Sequence, residues 1–223
     1  MKVLPASRKP ELARMQSAET LTRLGLELQA RGKPRSASEA YEAAIARHPA
    51  HGPAHKALAG LVLAHGGPLR LLPVLERAIA FLPGEAWALH HLGQILCGLK
   101  RFEDAVPPLR RAAELQPGDA GLLFDLGVAL QESGDNAEAI AVYRRALHPV
   151  PQVRIHHNLA SALQFDGRME EAMREYASAW ALNAANLPRI VQDLAAGRNG
   201  RIWLNIESLK RALREANSEI LSG

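Results

Sequence analysis

Residues 120–151 read AGLLFDLGVALQESGDNAEAIAVYRRALHPVP. Leu123, Leu126, Gly127 and Leu130 recur at spacings of three and four, which places them on one face of a helix. Ser133-Gly134-Asp135-Asn136 is a turn sequence. Beyond it Ala139, Tyr143 and Ala146 share one face of a second helix, which Pro151 closes. The hairpin carries two apolar stripes and too little chain to bury either. Further chain must cover them.

Stepping back in intervals of 34 residues finds that chain. Leu126-Gly127 is preceded by Leu92-Gly93, Leu58-Ala59 and Leu24-Gly25, and Ala146 by Ala112, Ala78 and Ala44. Pro151 is preceded by Pro117, Pro83 and Pro49, and Tyr143 by Leu109, Leu75 and Tyr41. Forward, Leu159-Ala160, Ala172, Tyr176 and Ala179 continue the pattern after a loop one residue shorter. The chain divides into an arm with a short helix at 1–17, five units at 18–51, 52–85, 86–119, 120–152 and 153–186, and a tail at 187–223. Each unit buries its stripes against its neighbours.

The period and the Leu-Gly…Ala…Tyr…Ala…Pro spacing resemble the tetratricopeptide repeat. The resemblance covers about 18–186 and implies an all-α, right-handed solenoid of five helix-turn-helix units. Some positions depart from the pattern. Leu21, His55, Leu89, Leu123 and His156 stand where an aromatic is usual, Leu71 where a small residue is, and Ala184 where proline is. The third unit has Lys100 in place of the turn glycine, and Pro73 and Pro107-Pro108 are expected near the first turn of their helices, which would start late or bend.

In the tail, Leu187–Ala196 reads as one more first helix. Asn205 can cap a last helix with Ile206, Leu209, Leu213 and Ala216 on one side. Such an element covers the open end of a stack. It could otherwise be a docking or dimerisation surface formed by Trp203, Leu209 and Leu213.

Composition excludes several classes. No stretch approaches the ~20 apolar residues of a membrane span. Charges occupy the start, MKVLPASRKPELARMQ, so export is not expected. Cys97 is the single cysteine, which fits a reducing, cytoplasmic setting. The net charge of +4 is spread along the chain, and Arg110-Arg111 and Arg144-Arg145 fall on second helices, so no nucleic-acid partner is expected. There is no phosphate loop, metal-spaced cysteine set or nucleophile motif, hence no cofactor and no enzyme chemistry. His90 and Cys97 lie about 10 Å apart along a helix, too far for a nucleophile and its base.

The resemblance implies that first helices line a concave surface for a peptide. The positions that would face it include Thr22, Leu26 and Gln29, then Lys56, Trp87, His90, Gln94, Phe124, Val128, Gln131, Arg154, His157, Ser161, Gln164 and Phe165. Rings there would supply contact area and amides would pair with a peptide backbone. The implied function is a non-enzymatic protein–protein interaction module. One alternative is the substrate-recognition or regulatory part of a larger enzyme, since bacterial transferases and hydroxylases carry such repeats. Another is a scaffold that assembles through its last helix.

Overall fold

The computed structural model describes residues 17–148, 152–196 and 206–222. The helix expected before Ser17, the closing Pro151 and Trp203 lie outside them. Among the described residues there are twelve α-helices, one 3-10 turn and no strand. The chain forms two compact units, one ending at Ile95 and the other starting at Leu96. The first holds α1 (Ala18–Ala30), α2 (Pro34–Arg47), α3 (Gly52–Gly66), α4 (Pro68–Phe81) and most of α5 (Ala86–Gly98). The second holds the last turn of α5, then α6 (Phe102–Leu115), α7 (Ala120–Glu132), α8 (Asn136–Ala146), α9 (Val153–Phe165) and α10 (Met169–Leu182). It ends with a 3-10 turn (Ala184–Asn186), α11 (Leu187–Ala196) and α12 (Ile206–Ser222). No helix among the described residues is long and apolar enough to cross a membrane.

Local chemistry sets the helix ends. Ser17, Asp119 and Asp135 accept the N–H of Thr20, Leu122 and Glu138 at 3.0–3.2 Å, satisfying donors that a helix leaves open. Gly134 takes φ 95° to turn α7 into α8. Lys100 holds the same left-handed conformation, φ 58°, at the cost of about 1–2 kcal/mol of steric strain. Pro73, Pro107 and Pro108 do not delay their helices. α4 begins at Pro68 and α6 at Phe102, so these prolines lie in the second turn. Each forgoes one backbone bond while the apolar face stays buried through Leu71, Leu75 and Ala78, or through Ala105, Leu109 and Ala112.

Within a hairpin, glycine and tyrosine are one device. A Cβ added to Gly127 would lie 2.4 Å from Tyr143 Cε1, and one on Gly25 would lie 2.3 Å from Tyr41 Cε1. The ring occupies the space that the missing side chain leaves. Each tyrosine is fully buried, and its hydroxyl donates to a glutamine twelve residues earlier: Tyr41 to Gln29 at 2.9 Å, Tyr143 to Gln131 and Tyr176 to Gln164 at 3.1 Å. Burial pushes all three phenols up, so each keeps the proton it donates. Where the second and third repeats have Leu75 and Leu109 instead, the glutamine positions hold Leu63 and Cys97. A side chain with no hydroxyl needs no acceptor.

Successive second helices are also tied on the outside. In the first unit Arg77 pairs with Glu42 at 2.8 Å. In the second, Arg110 pairs with Glu138 through both guanidinium nitrogens, and Arg144 with Glu171 at 2.7 Å. Exposed pairs of this kind contribute about 0–1 kcal/mol each, so they fix register more than stability.

α12 packs on α10, and its Leu209 and Leu213 are fully buried there. The docking surface expected of these two leucines is therefore not offered to a partner: they cover the open side of α10. Leu24 shows the converse at the other end. It is 40% exposed in α1, while its counterparts Leu58, Leu126 and Leu159 are buried and Leu92 is half-buried.

Candidate functional site

The expected groove residues divide between the two units, and each set stands by itself. In the first unit Thr22 is buried, with its hydroxyl donating to Ala18 O at 2.8 Å, while Leu26 and Gln29 stay exposed. Lys56 is exposed on α3. Trp87 is half-buried: it packs against the unit's core and meets His91 edge-on at 6.3 Å, so it serves the fold more than a ligand. His90 stacks on His91 at 6.2 Å, and the exposed Gln94 accepts from His91 Nδ1 at 3.1 Å.

The second unit gathers its set along α7 and α9. Phe124 is half-buried, tilted against Tyr143 at 6.1 Å, and covered on its outer side by the Arg154 guanidinium at 4.5 Å from the ring centroid. Arg154 Nε donates to Gln152 Oε1 at 3.2 Å. Gln131 uses both ends of its amide, accepting from Tyr143 and donating to Ser161 Oγ at 3.2 Å. Val128 is half-buried, and Phe165 is 53% exposed.

Two expected groove residues are covered. His157 is 1% exposed and Gln164 2%. The start of the sixth helical pair lies over them. Gln164 Nε2 donates to the Asp193 carbonyl at 3.0 Å, and Asn186 Nδ2 donates to His157 Nδ1 at 3.2 Å. His157 Nε2 lies 2.5 Å from the Asp193 carboxylate, a close contact without the alignment of a good hydrogen bond. The ring also meets Tyr176 edge-on at 5.6 Å. This histidine–carboxylate pair joins α11 to α9, with the imidazole covered and the Asp193 side chain partly exposed. Gln164 is likewise covered and bonded internally, whereas Gln131 is half-exposed and bonds Tyr143 and Ser161.

Sequence reasoning missed the glutamine–tyrosine pairing, although its signal, a Gln twelve residues before each repeat tyrosine, is in plain view. It also missed the contact of Phe124 with Arg154. That contact depends on how one repeat is seated on the next.

The other edge of α7 is acidic. Burial, with Asp125 and Glu132 close by, pushes the Cys97 thiol up to about 11 from 9.0. The thiolate fraction at mildly alkaline pH falls about a hundredfold. Alkylation of Cys97 by iodoacetamide at pH 8 is expected to be slower by that order in the native chain than in urea, and to rise as the pH nears 11. Equal rates in the two states would refute the burial.

Among the described residues no three His, Cys, Asp or Glu side chains converge as a metal site. An open cleft of about 950 Å³ lies between the start of α10 and α12, floored by Met169, Met173, Ala212 and Ala216. Its rim carries charges of both signs, among them Arg168, Arg174, Glu170 and Glu215, and selects no ligand charge.

The family model for the tetratricopeptide repeat matches residues 22–86, 91–154 and 124–188. No curated protein sequence matches the chain. Among solved structures, YrrB, described as a TPR protein with an unusual peptide-binding site, superposes with a TM-score of 0.70 at 18% identity, covering 83% of this chain and 96% of that one. A crystal structure of MamA gives 0.65 at 19% identity, over 77% and 94%. MamA from residue 41 onward, from Desulfovibrio magneticus RS-1, gives 0.63 at 17%, over 75% and 96%. At these identities the likeness is one of fold.

Proposed function

Because the chain belongs to the tetratricopeptide repeat family, an α-solenoid fold, we propose that it is a non-enzymatic module that holds an extended segment of another protein across its first helices. One observation carries this reading. On α7 and α9 the apolar groups Phe124, Val128 and Phe165 and the charged Arg154 reach the surface, above polar side chains already bonded to one another. A face fixed in this way loses little entropy when a partner docks. The peptide-binding site described for YrrB, a protein of the same fold, lends analogy.

The test is selection from a displayed random-peptide library. Binders to the parent chain are expected to be lost with Val128→Arg, whose melting temperature should stay within a few degrees of the parent because Val128 is only half-buried. Phe124→Ala is a poorer probe, since Phe124 also packs on Tyr143. Binders captured equally by the Val128→Arg chain would remove the reading.

A further inference from the structure

The first unit carries a basic and apolar edge that the peptide surface does not use. We propose that this edge, made by the turns α1–α2 and α3–α4, docks on the headgroup layer of an anionic bilayer.

Topology brings the two turns together. Helices α1 to α4 have 13–15 residues, and consecutive ones pack on each other through short connections, so they alternate in direction. Both turns then lie at one edge, with the connection at 48–51 about 20 Å away at the other. Four cations stand at the first edge. Arg31 ends α1, Lys33 and Arg35 flank the start of α2, and Arg70 lies in the first turn of α4. All four are exposed, and among the described residues none of them is in an ion pair. Arg77, further into α4, is by contrast matched to Glu42.

Little opposes this charge. Neither α2 nor α4 has an acid in its first turn, and Glu27 is the one acidic residue in the helix turns that meet the edge. The N-cap residues Lys33 and Gly67 make no side-chain bond to their helices, so the positive ends of α2 and α4 add to the field. In the fourth repeat the position of Lys33 is taken by Asp135, which caps α8. The basic edge is therefore a property of these two hairpins and not of the repeat.

Apolar side chains stand beside the cations. Leu69 is 61% exposed in the first turn of α4, where Cα–Cβ bonds tilt towards the helix start and hence towards the edge. Leu63, near the end of α3, is 47% exposed, and Pro68 is exposed between them. A Cβ added to Gly66 would lie 3.0 Å from Arg70 Cδ, so the arginine stem rests on the bare end of α3 next to these residues. A turn of this kind is complemented by a partner that yields to it. That partner must supply anions at the level of the cations and apolar material just beneath them. An anionic bilayer does both, whereas a nucleic acid offers phosphates without the apolar layer. The contact is peripheral, since no helix among the described residues can cross a membrane.

The experiment mixes the full chain with vesicles of phosphatidylcholine alone or of phosphatidylcholine with phosphatidylglycerol, and reads the bound fraction by co-sedimentation. The mixed vesicles are expected to bind the chain less tightly as salt is added, and the neutral ones to leave it in solution. At about fivefold per basic side chain near a charged surface, Lys33→Gln, Arg35→Gln and Arg70→Gln together should lower partitioning about a hundredfold. These side chains are exposed, so the melting temperature should stay at the parent's value. Leu69→Gln should weaken binding severalfold and keep its salt dependence. Leu69→Trp should gain a blue-shifted emission component on the mixed vesicles. No binding to the mixed vesicles, or equal binding to both kinds, would overturn the inference. So would undiminished binding by the triple variant or by Leu69→Gln, or an unshifted Leu69→Trp. If polyglutamate or duplex RNA binds through the same three cations while vesicles do not, the edge reads a soluble polyanion and the bilayer assignment falls. Each of these failures leaves the peptide-surface reading of α7 and α9 standing.

Discussion

Tyr143→Ala is expected to lower the unfolding free energy by about 3–5 kcal/mol, the range for deleting a large buried ring. The upper part of the range is the better expectation. The ring is fully buried against Gly127, which has no side chain that could swing into the space left behind. The substitution also strands Gln131, whose carbonyl oxygen accepts from the tyrosine and whose amide reaches Ser161 on the next hairpin. One residue thus supports both the packing inside a repeat and a bond between repeats. Urea unfolding followed by circular dichroism measures the loss, and a value under 1 kcal/mol would mean that the ring is not packed as described. Tyr143→Phe isolates the hydroxyl and should cost about 1 kcal/mol. The second repeat suggests an internal control, because Leu75 there accompanies Leu63. Tyr143→Leu combined with Gln131→Leu should be less damaging than the sum of the two single changes, since together they remove both ends of one bond.

The division between what the residues foretold and what they did not follows the range of the forces involved. The turn between α7 and α8 was legible because Gly134 and Asp135 act on their own neighbours in sequence. The stack was legible because the alanine and leucine stripes recur at a fixed period, and a stripe has one use. The prolines misled because a local rule, that Pro belongs at a helix start, was set against 14-residue helices whose buried faces hold them helical on both sides of the ring. The surroundings of the expected groove positions were not legible in the same way. A position in a repeat template says which way a side chain points, and not what lies over it. His157 and Gln164 end beneath Asn186 and Asp193, because one more first helix, α11, follows the fifth repeat and lies over them. Arg154 and Phe124 meet through the offset between two layers, a quantity that spacing within one repeat does not contain.

Leu213→Asp tests the other structural conclusion, that α12 is a cover and not a hook. Leu213 is fully buried against α10, where its burial contributes about 1.5–3 kcal/mol. An aspartate there would leave an unpaired carboxylate in an apolar contact, which costs more than that contact supplies. The cheaper response is for α12 to leave. α10 would then expose Met173 and Trp180, whose ring now lies 5.9 Å from the Arg214 guanidinium. Trypsin is expected to cut faster at Lys210, Arg211 and Arg214 in the variant, and tryptophan emission should shift to the red. A repeat stack with an open end associates with whatever covers it. The variant's mass by light scattering is therefore expected to rise with concentration relative to the parent's. If α12 were instead the contact through which copies of the chain assemble, the same substitution would lower the mass while leaving proteolysis of the monomer unchanged. The two outcomes have opposite signs, so a single concentration series separates a helix that closes its own stack from one that reaches into a neighbour's.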